Sequence, residues 1–182
     1  MKLAMLTMIV LLLASPALSQ YGGSIGLFAD EYGMQCNLMD PFFQPVSIYI
    51  IHMYTPGATG SQFRVEQTPG MNMMYLSFVV PAYIIYFGDP FTGMQVAYGG
   101  CYPAPILIMR LDYLGQGMSS PCSYVRIVDH VTTAPSGIFS VDCNSNLLPV
   151  SGGELVVNPT YECDCNVPNE NSSWGQIKSL YQ

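Results

Sequence analysis

Residues 71–74 place three methionines within four positions, a composition that suits a soft metal ion. Thioether sulfur favours Cu(I), and His52-Met53 adds two more soft-metal ligands. A copper site of this kind needs further Met and His residues at set distances, and the chain's only other histidine, His130, is not followed by a matching methionine. Methionine is also a flexible side chain that fills cores. We therefore predict a strand over residues 71–75 with at least two buried methionines, and no metal.

The cysteines indicate structural disulfides rather than a metal centre. An even number of cysteines in an exported chain is typical of disulfide-stabilised folds, and zinc sites usually need C-x-x-C spacings, which this chain lacks. The closing Cys163-Asp164-Cys165 is C-x-C and has no partner segment rich in His or Cys. We predict up to three disulfides among Cys36, Cys101, Cys122, Cys143, Cys163 and Cys165.

One disulfide pairing follows from the expected strand order. Residues 123–128 run one way, the chain turns, and residues 137–142 run back. If these strands are hairpin neighbours, Cys122 and Cys143 lie side by side, within the ~7 Å between Cα atoms that a disulfide requires. We therefore predict a Cys122–Cys143 disulfide.

The remaining cysteines are less constrained by strand order. Cys101 and Cys122 lie at opposite ends of the strand between them, so they are not expected to pair. A Cys36–Cys101 disulfide is the next assignment, which leaves Cys163 and Cys165 without a determined partner.

A partial calcium-loop pattern follows the strand that ends at Asp142. Asp142, Asn144 and Asn146 occupy the first three ligand positions of such a loop, where oxygen ligands alternate. Leu147 and Gly153 stand where the loop requires glycine and glutamate. The pattern therefore predicts an Asx-rich turn rather than a calcium site.

Two patterns associated with hydrolases are equally incomplete. Residues 22–26 match the G-x-S-x-G nucleophile elbow, but no strand precedes them and no helix follows. Asp129 and His130 would need a nearby serine to form a triad, and they lie where a strand gives way to a loop, a place where polar side chains are usually solvated. Neither pattern predicts a catalytic residue.

Short segments bounded by Gly, Pro, Asn and Ser run through the body of the chain. In one of them Phe63 and Val65 alternate with Arg64 and Glu66, as in a strand with one buried face. In another, one face is assigned to Leu107, Met109, Leu111 and Tyr113. The predicted strands cover residues 24–30, 46–55, 62–67, 73–80, 93–100, 104–115, 123–128, 137–142 and 154–158.

This pattern predicts an all-β protein, an antiparallel β-sandwich of immunoglobulin-like architecture. Hydrophobic residues make up 50% of the chain and charged residues 9%, which favours a packed body over disorder. Twelve acidic residues against five basic ones give a formal net charge of −7. Such a body repels nucleic acid and anionic lipid headgroups, so neither is expected as a partner.

The start of the chain has the features of a secretory signal over residues 1–19. A lysine precedes an apolar run over residues 3–14, and Ala17 and Ser19 are the small residues expected before a cleavage site. The run is shorter than the ~20 residues of a membrane span, so no span is expected in the mature chain. We expect a secreted protein, whether periplasmic, extracellular or at the cell surface, with one domain over residues 20–165.

Residues 166–182 differ from the body in composition. Their first part is polar with turn-forming Asn and Pro, which predicts a flexible linker. Trp174, Ile177 and Leu180 then recur at helical spacing and predict a short amphipathic helix. A helix this short is marginal in water by itself. The tail must then dock its apolar face on the body, stay frayed, or fold on a sorting or anchoring partner, and we expect the last of these.

Both the body and the tail resemble sequences of exported bacterial proteins. SIGLFADEYGMQCNL, with the later YGGC, SSPCSYVRIVDH and FSVDCNSN, resembles uncharacterised secreted β-sandwich domains of environmental bacteria. The closing SSWGQIKSLYQ resembles a T-W-G-x-I/V-K-x-L-Y/F tail of many exported proteins of similar bacteria, with Ser173 in place of threonine. The resemblance implies a compartment and a fold, and no catalytic residues.

These observations predict a non-catalytic interaction or structural domain, secreted or at the cell surface, with no cofactor. Its expected partner is an unknown protein or glycan. A carbohydrate-binding module is the first alternative, because thirteen tyrosines offer material for a stacking platform. A hydrolase is the second alternative, and it would require a pocket that gathers His130, Asp129 and a serine.

The expected role of the tail can be tested by truncation after Asn166. If the tail folds on a partner, the melting temperature of the body should be nearly unchanged, because no core contact is lost. Cell fractionation should show the truncated protein in a different place from the full chain. A large loss of thermal stability with unchanged location would instead assign Trp174 to the core.

Overall fold

The computed structural model describes residues 22–165, which form two β-sheets packed as a sandwich. Every regular element in this range is a strand, so the predicted all-β sandwich is confirmed. The predicted signal over residues 1–19 and the tail over residues 166–182 lie outside the described residues. Within the described range, no helix is long and apolar enough to cross a membrane.

The described residues contain thirteen strands. They are β1 (Ser24–Phe28), β2 (Asn37–Leu38), β3 (Pro45–Met53), β4 (Ala58–Gln67), β5 (Met74–Val79), β6 (Ile85–Asp89), β7 (Gly93–Tyr102), β8 (Ile106–Leu114), β9 (Ser123–Val128), β10 (Phe139–Asp142), β11 (Leu147–Pro149), β12 (Ser151–Gly152) and β13 (Glu154–Val157). The nine predicted strands correspond to β1, β3, β4, β5, β7, β8, β9, β10 and β13. The sequence prediction misses β2, β6, β11 and β12.

The first sheet has the strand order β12-β1-β3-β8-β5. The second sheet has the order β11-β10-β4-β9-β13-β2, with β7 also paired to β4 and β6 beyond β7. β4 is therefore a branch point. β7 pairs with residues 58–63 on one side of β4, while β10 and then β9 pair with successive parts of its other side.

The core lies between the sheets and is built from the apolar faces of the long strands. Phe63 and Val65 of β4 are fully buried, whereas Arg64 and Glu66 lie on the other face and form an ion pair, as the alternation predicts. Full burial of one large apolar side chain contributes about 1.5–3 kcal/mol. The largest fully buried side chains include Tyr98, Tyr113, Phe63, Ile48, Ile50, Met94, Ile108, Met109 and Leu111.

The alternation predicted for β8 breaks at one position. Ile108 and Met109 are consecutive, yet both are fully buried. The pairing with β3 shifts here because β8 has one extra residue between Leu107 and Met109, which is a β-bulge. Side chains before the bulge therefore point to the opposite face from the one that simple alternation predicts. Leu107 therefore does not share the face predicted for it, and packs in a small second cluster with Phe28 and Ile51.

The methionine segment is only partly as predicted. Met71 and Met73 are buried in the main core, which confirms that at least two of the methionines pack. β5 begins only at Met74, which is exposed, so the strand predicted for the preceding residues is wrong. A turn over residues 68–71, in which the Met71 N–H donates to the carbonyl of Thr68 at 3.0 Å, precedes an irregular stretch over residues 71–73.

The cysteines form three disulfides, Cys36–Cys165, Cys101–Cys143 and Cys122–Cys163. The predicted pairs Cys122–Cys143 and Cys36–Cys101 are therefore wrong. Cys101 and Cys122 do not pair with each other, as expected.

The wrong pairing of Cys122 with Cys143 comes from the assumed hairpin. β9 and β10 both run antiparallel to β4, one after the other, and thus form one interrupted strand. The loop between them is closed by a single bridge from His130 to Gly137. Cys122 directly precedes β9 and Cys143 directly follows β10, so the two cysteines lie at opposite ends of the interrupted strand. The length of β4, roughly 30 Å, separates them.

The Cys101–Cys143 disulfide crosses the chain just before β4. β7 and β10 flank β4, and each brings its cysteine to the same end of that strand. A Cβ added at Gly57 would lie 2.6 Å from Cys143 Sγ and 3.1 Å from Cys101 Sγ. The sulfur atoms therefore occupy the space that any side chain at position 57 would need.

Gly57→Ala is expected to lower the free energy of unfolding by about 1–3 kcal/mol, because the new methyl group overpacks this site. Urea unfolding of the oxidised protein measures the change. In a Cys101→Ala/Cys143→Ala background the same substitution should cost little, since the sulfur atoms are gone. Gly100→Ala is the control, because the atoms nearest to its added Cβ belong to the Tyr102 side chain, the first of them at 3.2 Å. An equal cost in both backgrounds would refute the role of the disulfide.

Candidate interaction face

His52, considered above as a soft-metal ligand, is a fully buried structural residue. Its Nε2 lies 2.7 Å from the carbonyl oxygen of Gly22, and its Nδ1 lies 3.2 Å from the hydroxyl of Tyr98. Because a carbonyl oxygen only accepts, Nε2 carries the proton and donates it. The Tyr98 hydroxyl also lies 2.8 Å from Ser61 Oγ. Burial lowers the pKa of His52, so the ring is neutral. Both of its nitrogens are engaged in contacts with other core residues.

The residues of the hydrolase alternative do not assemble into a site. His130 is buried, so the expectation that it is solvated is wrong. Its ring packs over Gly93, where an added Cβ would approach ring atoms to 2.6 Å, and its Nδ1 lies 3.3 Å from the Thr133 hydroxyl. Asp129 is exposed beside it, and the side-chain hydroxyls within hydrogen-bond distance of His130 Nδ1 are those of Thr132 and Thr133. Ser24 of the G-x-S-x-G match lies inside β1.

Asp142 closes a turn, which confirms the predicted Asx-rich turn. Its Oδ1 accepts the backbone N–H groups of Asn144 and Asn146, each at 2.8 Å. Its Oδ2 accepts the side-chain amide of Asn146 at 2.8 Å. These bonds, the Asn146 amide foremost, hold the pKa of the carboxyl below its usual range. Across residues 22–165, no group of His, Cys, Asp and Glu side chains is arranged to hold a metal ion.

Part of the outer face of the second sheet, across β11, β10, β4, β7 and β6, carries no charged residue; the next outward residues along β4 and β6 are Arg64 and Asp89. Strand register places two rows of side chains there, one residue from each strand. The first row is Pro149, Phe139, Gln62, Gln95 and Phe87, and the second is Leu147, Val141, Gly60, Ala97 and Ile85. We call these ten positions the uncharged face.

The uncharged face is low at its centre and raised at its two edges. Gly60 has no side chain, and a shallow cavity of about 160 Å³ lies across the three central strands. At one edge Phe87 is 69% exposed and Ile85 61%, and at the other Leu147 is 46% exposed. The cavity is lined by Ser61, Gln62, Gln95, Val96, Phe139, Val141 and Leu147.

Two glutamines provide the polar groups of the uncharged face. The Gln62 amide donates to the carbonyl oxygens of Pro135 at 3.0 Å and Gly137 at 3.3 Å, which holds the loop between β9 and β10 at the border of the face. Gln95 is exposed, and its amide makes no hydrogen bond with the part of the chain that the structure describes. This amide is free to bond with a partner.

Charged side chains occur on the outer face of the rest of the same sheet. The boundary between the uncharged face and this charged region falls within β4. The outward residue after Gln62 is Arg64, which begins a region where acidic and basic side chains alternate. Two ion pairs lie in this region, Arg64–Glu66 and Arg126–Glu154, while the third arginine between residues 22 and 165, Arg110, pairs with Asp112 on β8 of the other sheet. Exposed pairs of this kind contribute only about 0–1 kcal/mol each, so they mark a solvated surface.

The aromatic side chains do not form a flat platform within the described residues. Tyr83 and Tyr102 lie 5.6 Å apart at an interplanar angle of 49°, and all other ring pairs are more steeply inclined. A sugar ring stacks on aromatic rings that are exposed and nearly coplanar. The arrangement that would favour a carbohydrate-binding module is therefore not found in this range.

The uncharged face was not predicted from the sequence, because β6 and β11, the two strands at its edges, were not predicted. One signal was nevertheless present, since no charged residue occurs between Met71 and Gly88. A run of that length in an acidic chain points to a surface that contacts something other than water.

The fold is similar to that of cohesin modules among solved structures. A cohesin module of a Clostridium perfringens family 33 glycoside hydrolase aligns with a TM-score of 0.50 at 7% identity, covering 76% of this chain and 99% of the module. The sixth cohesin of Acetivibrio cellulolyticus scaffoldin B, crystallised in complex with a dockerin, aligns with a TM-score of 0.46 at 10% identity, again covering 76% and 99%. At such identities the similarity concerns the fold alone. No family model and no curated protein matches the chain.

The two histidines should make stability depend on pH. Burial lowers the pKa of both His52 and His130 in the folded protein. In the unfolded chain the two imidazoles bind protons at about pH 6.5, a pH at which they are still mostly neutral in the folded protein. The free energy of unfolding should therefore be highest above about pH 7 and fall as the pH drops toward about 5. Urea unfolding across this range measures it, and NMR titration should place both imidazole pKa values below about 6.5. Constant or rising stability on acidification would contradict the prediction.

Proposed function

We propose that this protein is a secreted, non-catalytic interaction domain that binds a protein partner through the uncharged face. The observation that carries the proposal is the contrast within one sheet, where the uncharged face adjoins a region that carries two ion pairs. Scattered apolar residues are normal on protein surfaces, but a contiguous, mostly apolar surface without charge is typical of an interaction site. Neither the structure of the core nor that of the disulfides requires this patch.

The shape of the uncharged face favours a macromolecular partner over a small ligand. Its cavity of about 160 Å³ is smaller than the roughly 300–1,000 Å³ of pockets that enclose small molecules. The raised residues Phe87 and Leu147 lie at opposite edges, so a partner must span five strands to contact both. Gln95 then supplies a hydrogen-bonding group near the middle, in keeping with interfaces that combine apolar anchors with a few polar contacts.

The similarity to cohesin modules agrees with this proposal at the level of architecture only. A β-sandwich hosts many functions, and function depends on the surface that each chain presents. The glycan alternative has less support, because the described aromatic rings are inclined to one another. The proposed partner is therefore a protein with an apolar, largely uncharged contact surface.

Site-specific photocrosslinking in the native host tests the proposal. A benzophenone amino acid placed at Phe87 or at Leu147 should form adducts with another protein on irradiation, because both positions rise from the edges of the face. The same group at Glu66 is the matched control, since it lies on the charged half of the same sheet with its side chain 49% exposed. Adducts identified by mass spectrometry should contain the same partner for both face positions. No foreign adduct at either, or equal yields at all three positions, would overturn the proposal.

A further inference from the structure

We propose that two copies of this chain associate edge to edge through β6, paired antiparallel about a two-fold axis at Tyr86. β6 pairs with β7 over all five of its residues and with no other strand of the described chain. One row of its backbone N–H and C=O groups therefore lacks a strand partner, and such an edge is a template for another strand. This surface is the outer edge of the sheet, which distinguishes it from the uncharged face.

The other sheet edges in the described range are protected against such pairing. β2 and β12 have two residues each, and β11 ends in Pro149, which has no N–H group to donate. β5 is interrupted by a bulge between Tyr75 and Ser77. Short strands, prolines and bulges are the devices by which monomeric proteins prevent edge association. β6 has an unbroken register with β7, no proline, and no charge before Asp89.

The side chains along this edge are apolar in both sheets. Tyr86 of β6 contacts Phe78 of β5, with ring centroids 5.2 Å apart, so the two edge strands lie side by side. Leu76 and Val79 of β5 are about half exposed, at 51% and 48%, and extend the apolar surface of β6 across the sandwich. Paired backbone groups alone make a small interface, and these side chains supply the additional buried area that a stable dimer needs.

The geometry of β6 suits a second copy of itself. Gly88 has a φ of 91°, which ends the regular stretch, so three residues, Ile85 to Phe87, remain for pairing. Antiparallel pairing centred on Tyr86 puts Ile85 opposite Phe87 of the second copy, and the reverse. Both pairs lie on the outer side of the sheet, where directly opposed apolar residues stabilise strand pairing. The two uncharged faces then join into one surface.

Charge also favours a second copy over a foreign partner at this edge. A partner recruited by an acidic protein is expected to present basic groups, but residues 71–88 offer no carboxylate to receive them. The same residues of a second copy bring no charge either. The two bodies still repel each other, since each has a formal net charge of −7. Added salt screens that repulsion, so salt should strengthen the dimer rather than weaken it.

The inference rests on the proposed function only in that Ile85 and Phe87 belong to both surfaces. It is tested on the purified protein by sedimentation equilibrium over a range of protein and salt concentrations. Ile85→Lys introduces the charge that protected edges carry, and it should weaken association about tenfold or more. Leu147→Lys is the matched control on the opposite edge of the same face, and it should leave the association constant within about twofold. Circular dichroism and thermal unfolding confirm that each variant folds.

Hydrogen exchange of the unmodified protein gives a second readout that needs no variant. Backbone amides of residues 84–88 should become more protected as protein concentration rises, while those of β11 should not. A monomer at all concentrations, a dimer that Ile85→Lys leaves intact, or a dimer weakened by salt would each overturn the inference.

If Leu147→Lys abolishes a photocrosslinked foreign partner but spares the dimer, both proposals stand. If no foreign partner exists and the dimer still forms at β6, only the proposed function fails.

Discussion

β4 is the strand on which the second sheet depends, because it pairs along both sides with three other strands. Its inward residues, including Phe63 and Val65, fill the core, and its outward residues change from Gly60 and Gln62 to charged side chains along its length. Since side chains alternate between faces, a slip of one residue in its register would send the charged residues inward. Burying unpaired charges is costly, so the register of β4 is strongly specified. The boundary between the uncharged and charged halves of the sheet is thus a property of one strand.

The disulfides follow from the same arrangement. β9 and β10 share one side of β4, so the cysteines at their outer ends are far apart, and each finds a partner at its own end of the sheet. At the end of the sheet where β10 finishes, Cys143 forms a disulfide with Cys101 of β7. At the end where β9 begins, Cys122 forms a disulfide with Cys163, which follows β13. A covalent bond at each end holds the interrupted strand in line despite the loop that divides it. Gly57 permits this at the first end by leaving room for the sulfur atoms.

Much of the fold was predictable from local patterns, and the uncharged face was not. Alternation in residues such as Phe63 and Arg64 identifies strands and their faces, because burial of one face of a sheet leaves a period of two. The β8 bulge and the β9–β10 alignment depend on neighbouring strands that are distant in sequence, so no local pattern encodes them. β6 escaped prediction because Ile84 to Phe87 are all apolar and show no alternation. The disulfide assignment failed because strand order cannot be deduced from turn length alone.

The Cys36–Cys165 disulfide has a mechanical consequence. The two cysteines are 129 positions apart, and they join the segment after β1 to the last described residue of the chain. Tension applied between β1 and a point beyond Cys165 passes directly through the sulfur–sulfur bond. Residues 37–164 then lie in a covalently closed loop that carries none of that load, and only the short stretch that includes β1 is able to extend. A domain closed in this way keeps the greater part of its sheets folded under pulling forces for as long as its cysteines remain oxidised.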